Sequence, residues 1–297
     1  MSAAHRCGTV AIVGRPNVGK STLLNLLIGQ KISITSRKPQ TTRQRITGIL
    51  TRADAQLVFI DTPGFQTQHR STLTRLMNRT VRQALEGVDV IVWMIEATKF
   101  DERDAALLKL LPEGAAVVLA INKIDRLQHK PDLLPFIAQM RERRNFAAIV
   151  PLSAERDRDA EALVKEIVAL LPEGPRMYED DEVTTLSERF LAAELVREKL
   201  FRLLGDELPY ATAVEVERFE TTGGLRRIYV GILVDKANQK GIVIGKNGEK
   251  LKAISTQARK DMERLFGGKV FLEVWVRVRS GWADDAAVLR RLGIGET

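Results

Sequence analysis

A single cysteine, Cys7, stands in 297 residues, so no disulfide can form within the chain. With no signal-peptide pattern at the N-terminus, this points to a reducing cytosol. Long apolar runs are also missing. None approaches the roughly 20 residues that cross a bilayer, so no membrane span is expected. The sequon Asn78-Arg79-Thr80 occurs, but such triplets arise by chance and have no acceptor role in a cytosolic chain. What the chain does have is enough apolar side chain, 44%, to fill ordinary cores, and a length beyond that of one typical domain of about 100–150 residues. Lys and Arg outnumber Asp and Glu by 46 to 38, a net +8. That excess favours a polyanionic partner, nucleic acid or an anionic membrane surface.

Five short apolar runs recur in the first half: Val10 to Val13, Leu57 to Ile60, Val90 to Ile95, Val117 to Ile121 and Ala148 to Leu152. Runs of this length bounded by turn signals suit strands buried on both faces. Segments with helical spacing lie between them, as in Leu73-Leu76-Met77-Val81-Leu85 and Leu163-Ile167-Leu170. The alternation predicts an α/β fold with a mostly parallel sheet. Gln44 to Thr51 and Gln56 to Asp61 flank a short turn, which predicts one antiparallel strand. The acidic, Pro- and Gly-containing stretch from Pro172 to Thr185 has the composition of a solvated linker. The expected organisation is therefore a first domain over 1–175, a linker over 176–186 and a second domain over 187–297. Beyond the linker the order is a helix (Ser187 to Leu204), two strands (Thr212 to Glu220, Arg226 to Lys236), a long helix (Glu249 to Phe266) and a third strand (Lys269 to Arg279), an α+β arrangement. Charge is uneven there: Arg176 to Glu220 holds 6 basic and 12 acidic residues, whereas Thr221 to Arg279 holds 13 basic and 5 acidic. The basic footprint lies around Gly245.

Gly14-Arg15-Pro16-Asn17-Val18-Gly19-Lys20-Ser21 fits the phosphate-binding P-loop and falls between a strand pattern and a helix pattern, as its mechanism requires. Backbone N–H groups and the helix N-terminus can cradle phosphates. Lys20 would neutralise the β- and γ-phosphates and the Ser21 hydroxyl would ligate Mg²⁺. Asp61-Thr62-Pro63-Gly64 follows an apolar strand, so Asp61 can hold Mg²⁺ through water and the Gly64 N–H can reach the γ-phosphate. Asn122-Lys123-Ile124-Asp125, at another strand end, selects guanine. The Asp125 carboxylate can accept from the ring N–H and the 2-amino group, and adenine lacks that donor pair. Asn122 would brace the loop while the Lys123 stem covers the base face.

Together with Ser153-Ala154-Glu155, these motifs in this order resemble the translation-factor class of GTPases across residues 8 to 172. The resemblance implies GTP and GDP as ligands with Mg²⁺, and an Ala154 N–H directed at guanine O6 beside Ser153. It also implies a switch threonine between Ser21 and Asp61. In Pro39-Gln40-Thr41-Thr42-Arg43 the choice falls on Thr42 over Thr41, so Ser21, Thr42 and Asp61 form the expected metal set. Lys20, Thr42, Gly64 and Asn17 form the expected catalytic set. The residue after Asp61-Thr62-Pro63-Gly64 is Phe65 where Ras-like enzymes place a water-orienting Gln, so slow intrinsic hydrolysis is expected. Asn17 has two readings. In related Pro-Asn-x-Gly-Lys-Ser loops it holds K⁺ beside the phosphates, and otherwise it is a turn residue bonded to its own backbone.

Gly245-Lys246-Asn247-Gly248 lies between two helical segments and resembles the Gly-x-x-Gly loop of KH domains, which clamps about four nucleotides of single-stranded backbone. The glycines allow close backbone approach, and Lys246 with the downstream Lys250, Lys252 and Arg259 would meet phosphates. The element order matches a type II KH domain. Ile242, Ile244, Leu251 and Ile254 serve packing, the base groove, or both. Three longer stretches, Gln30 to Lys38, Ala258 to Met262 and Ser280 to Asp285, extend the resemblance to the Era/TrmE-type GTPases that carry a C-terminal type II KH domain. That family implies binding near the 3′ end of 16S ribosomal RNA during assembly of the 30S subunit. It further implies a cytoplasmic monomer with peripheral association at the inner face of the cell membrane. Two other classes compete: a small-molecule P-loop kinase, disfavoured by Asn122 to Asp125, and a GTP-dependent protein-interaction or membrane module that never touches RNA.

Overall fold

The computed structural model describes residues 5–66, 72–205 and 208–294. The outer bounds expected for the domains, residues 1 and 297, lie outside the described residues. The chain divides into two compact units, one built from residues up to Ser33, from Thr42 and from Met77–Thr185, the other from Ile34–Thr41, 72–76 and 186–294.

The apolar runs become the strands of the first unit. In chain order its elements are β1 (Arg6–Gly14), α1 (Lys20–Ile28), β2 (Ile46–Thr51), β3 (Ala55–Asp61), α2 (Thr72–Ala84), β4 (Val90–Glu96), α3 (Glu102–Leu108), β5 (Ala116–Asn122), α4 (Leu133–Arg143), β6 (Ala148–Pro151) and α5 (Asp157–Leu170). The sheet order is β2-β3-β1-β4-β5-β6. All pairings are parallel except β2 with β3, which run antiparallel from Ile46↔Asp61 to Thr51↔Gln56. Val10 to Val13 and Val90 to Ile95 are buried on both faces, as parallel strands covered by helices on either side must be. β1 pairs with β3 on one side and β4 on the other. The winding therefore reverses at β1, and the crevice at the carboxyl ends of the strands is where such sheets hold ligands. The polar motifs sit at those ends: Gly14 closes β1, Asp61 closes β3 and Asn122 closes β5.

The stretch read as a solvated linker is strapped to the first unit instead. Buried Gln56 clips it: Oε1 accepts from Met177 N (2.7 Å) and Tyr178 N (3.0 Å), and Nε2 donates to Tyr178 O (2.9 Å). Further along, Ile49 N donates to Val183 O (2.9 Å) and Thr184 Oγ1 to Thr47 O (2.6 Å). β2 and β3 thereby satisfy backbone and side-chain groups of a segment whose composition reports only its solvent-facing side chains.

The second unit comprises α6 (Glu188–Leu203), β7 (Thr212–Thr222), β8 (Leu225–Val234), α7 (Ala237–Ile244), α8 (Glu249–Phe266), β9 (Val270–Val278) and α9 (Ala286–Arg291). Ser187 caps α6, its Oγ accepting from Phe190 N at 3.2 Å. Gly223 and Gly224, at φ 58° and 79°, form the two-residue turn between β7 and β8, the left-handed geometry that tight hairpins demand. β9 then pairs parallel to β8. Ile254, Ala258 and Met262 of α8 are fully buried at a spacing of four, one helical stripe facing the sheet. Among the described residues no helix is long and apolar enough to cross a membrane.

Candidate functional site

The loop from Gly14 to Ser21 owes its shape to close approach. A Cβ on Gly14 would lie 2.5 Å from Met94 O, one on Gly19 would lie 2.2 Å from Asn122 Nδ2, and one on Gly64 would lie 2.7 Å from Pro16 Cα. Gly19, at φ 110°, is also the N-cap of α1. Asn17 adopts left-handed backbone at φ 64°, a conformation that Asn tolerates better than most side chains, which supports its reading as a turn residue. Val18 is buried. Lys20 arcs back over the loop, Nζ donating to Gly14 O (3.1 Å) and Arg15 O (3.0 Å). Burial and the nearby Arg15 pull its ammonium down to about 8, against the opposing field of Asp61.

Ser21 Oγ lies 2.9 Å from Thr42 Oγ1 and donates to Asp61 Oδ2 at 2.7 Å. Ser33 Oγ reaches the same carboxylate oxygen at 3.1 Å. Burial raises the Asp61 carboxyl, while Lys20, Ser21 and Ser33 oppose that shift. Asp61 Oδ1 is buried without a hydrogen-bond partner. Two hydroxyls and an orphaned carboxylate oxygen on one spot are the hard oxygen donors that suit Mg²⁺. The neighbouring Thr41 is occupied elsewhere: its Oγ1 donates to Lys38 O at 2.7 Å and pairs with Ser36 Oγ at 2.7 Å. Next along β3, Thr62 Oγ1 anchors to Ile12 O (2.9 Å), and Pro63 leads into Gly64. Phe65 is buried in the apolar core beside Val81 and Trp93, so its ring packs rather than facing the phosphate loop.

Asn122 joins three loops. Its Nδ2 donates to Val18 O (2.7 Å), and its Oδ1 accepts from Ala154 N (2.9 Å). The Ala154 N–H assigned above to guanine O6 is thus bonded to Asn122. Ser153 N donates to Asp159 Oδ2 at 2.9 Å, which ties that loop to the start of α5. Lys123 is left-handed at φ 64° and caps the short turn Ile124–Arg126 that carries Asp125. Its Nζ donates to Glu96 Oε2 at 2.7 Å. Sequence reading missed Ser33, Glu96 and Asp104. For Glu96 a signal existed: it follows the run Val90 to Ile95 as Asp61 and Asn122 follow theirs.

In the second unit the glycine loop is a sharp turn between α7 and α8. Gly245 (φ 76°), Asn247 (φ 52°) and Gly248 (φ 78°) all have positive φ. A Cβ on Gly245 would also lie 2.9 Å from Lys250 Cβ. Lys246, Asn247, Lys250 and Lys252 are exposed. Arg259 differs: it lies about 16 Å further along α8 at 1.5 Å per residue, with Nη1 paired to Glu263 at 2.7 Å. The apolar residues divide as well. Ile254 is in the core, Ile244 and Leu251 pack half-buried against it, and Ile242 is 48% exposed beside the loop.

Comparison with known proteins covers both units. A family profile described as 50S ribosome-binding GTPase matches residues 9–123, and a KH domain profile matches residues 207–283. GTPase Era of Nitrosomonas eutropha is 56% identical over 294 residues, 99% of each chain. GTPase Era of Neisseria meningitidis serogroup B is 57% identical over 295 residues, 99% of this chain and 96% of that one. Among solved structures, Aquifex aeolicus Era bound to GDP·AlF4⁻ superposes with a TM-score of 0.93 at 38% identity, covering 98% of this chain and all of that one. Era in complex with MgGDPNP and nucleotides 1506–1542 of 16S ribosomal RNA gives a TM-score of 0.94, also at 38% identity and 98% coverage.

Proposed function

This chain belongs to the Era family of GTPases, and from that premise we propose how its own residues bind and hydrolyse GTP and where they hold RNA. The meeting of Ser21 Oγ, Thr42 Oγ1 and Asp61 at the carboxyl ends of β1 and β3 carries the proposal. Ser21, Thr42 and, through water, Asp61 would hold Mg²⁺, which neutralises charge on the β- and γ-phosphate oxygens. The backbone N–H groups from Arg15 to Ser21 cradle the phosphates. Lys20 Nζ exchanges its two carbonyl acceptors for phosphate oxygens, and Gly64, pressed against Pro16, offers its N–H to the γ-phosphate. Water attacks the γ-phosphorus, the bond to the β–γ bridging oxygen breaks, and GDP and phosphate leave. Phe65, in the core, stands where Ras-like enzymes place the water-orienting Gln, so slow intrinsic hydrolysis follows. Asp125 reads the two guanine donors, and the Lys123 stem covers the ring.

In the second unit, Gly245 to Gly248 with exposed Lys246, Lys250 and Lys252 would clamp single-stranded phosphates, and exposed Ile242 would face the bases. The ligand this supports is the 3′ end of 16S ribosomal RNA within the 30S subunit, the RNA named in the Era complex of closely similar fold. Phosphate release from GTP by wild type and Thr42→Ala tests the nucleotide half. The expected outcome is a turnover lower by about tenfold or more in the variant, with GDP affinity little changed. Equal turnover in both proteins would contradict the assignment.

A further inference from the structure

Glu96 and Asp104 belong to none of the nucleotide motifs, yet each faces a residue that does. Glu96 ends β4, paired in the sheet with Asn122, and its neighbour Ala97 N donates to Asn122 O at 2.8 Å. Its side chain is only 16% exposed, and Oε2 takes Lys123 Nζ at 2.7 Å while lying 3.8 Å from Arg15 Nη2. The other oxygen takes Lys99 Nζ at 2.5 Å. Asp104, on α3, is fully buried: Oδ2 accepts from Asp101 N at 3.2 Å and sits 3.2 Å from Arg15 Nε. A carboxylate pair thus lies between the phosphate loop, through Arg15, and the base-reading loop, through Lys123.

We infer that Glu96 is a positioning residue for nucleotide binding, holding the ammonium of Lys123 so that its stem lies across the guanine face. Lys123 sits in left-handed backbone, held by Arg126 N donating to Lys123 O at 3.0 Å and Ile124 N to Leu152 O at 3.4 Å, so its side chain leaves from a fixed point. Its long side chain is otherwise free to rotate and would lose that freedom only on binding nucleotide. With Glu96 in place, the ordering is complete before the ligand arrives, and pre-organisation of this kind acts on affinity. The contact is to the base side of the site, equally present before and during phosphoryl transfer. Removing it therefore changes binding and leaves the chemical step alone.

The inference rests on the nucleotide reading above, and release of fluorescent GDP from the full chain, with turnover at saturating GTP, separates the two. Loss of one charge-assisted hydrogen bond is expected to speed GDP release from Glu96→Gln by about tenfold or more. KM should rise by the same factor with kcat unchanged. In a Lys123→Met background Glu96→Gln should add nothing further, because its effect passes through that ammonium. Lys99→Ala, which removes a partner of the same carboxylate outside the motifs, should release GDP at the wild-type rate. Wild type failing to bind GDP would overturn the nucleotide reading itself. With wild type binding normally, three results would each overturn the positioning role: unchanged release from Glu96→Gln, an additive effect in the double variant, or an equal acceleration in Lys99→Ala.

Discussion

Asp125 is on a short turn fixed at one end by the left-handed Lys123 and bonded back to the residue after β6 through Ile124 N to Leu152 O at 3.4 Å. A carboxylate held this way can choose among purines by what they donate. Asp125→Asn replaces one acceptor with a donor, which suits xanthine with its 2-oxo group, so preference is expected to move from GTP towards XTP. A site built for donors rejects an analogue lacking them by about 10⁴-fold, and competition binding reads the change directly. Glu96 makes a second residue-scale expectation. Burial alone would raise its carboxyl, but the hydrogen bonds from Lys123 and Lys99 outweigh it and hold the group at about 2, against an ordinary value of 4.5. Because the folded state depresses this group, its stabilising contribution is complete above pH 4.5 and fades as pH falls towards about 2. Thermal unfolding of wild type and Glu96→Gln should therefore differ most above pH 5 and converge towards pH 2, and a gap that widened on acidification would contradict the ion pair.

At the scale of elements, the strands were legible because buried parallel strands leave unbroken apolar runs. The polar residues that end those runs marked the site. α8 was read from Glu249 to Phe266 and observed there, since its stripe and flanking glycines are both local signals. The alternation implies helices at α3 and α4 but gives them no bounds: α3 has only seven residues and α4 buries only Phe136 and Met140, too little for a clear period. Thr41 and Thr42 carry the same hydroxyl, and the fold gives them different partners: Thr42 Oγ1 lies beside Ser21 Oγ, whereas Thr41 Oγ1 lies on Lys38 O and Ser36 Oγ. The stretch from Pro172 to Thr185 has a solvated composition because acidic composition reports side chains, whereas most of its bonds to the first unit are made by its backbone. Gln56 makes three of them. Replacing it in Gln56→Leu removes the acceptor of two backbone N–H groups and the donor to Tyr178 O. The expected loss is about 1–3 kcal/mol of unfolding free energy, measured by urea denaturation. A variant as stable as wild type would mean that water replaces the side chain without loss.

For the whole molecule, a nucleotide can alter RNA binding only through different affinity for the two states, and the influence must run both ways. Ile34–Thr41 clusters with the second unit while Thr42, the next residue, belongs with the first. Positive charge concentrates in the second unit, 13 basic against 5 acidic residues from Thr221 to Arg279. Neutralising about four phosphates of a single strand gives a log–log salt slope near −3, whereas binding dominated by base stacking would depend on salt more weakly. A GTP switch whose state sets its hold on RNA is tested by filter binding of an oligonucleotide from the 3′ end of 16S ribosomal RNA. Wild type and Gly248→Asp are each measured with a GTP analogue and with GDP. Wild-type affinity should differ between the two nucleotides, and Gly248→Asp should lose RNA binding in both while keeping nucleotide. Equal RNA affinity in all four conditions would contradict it.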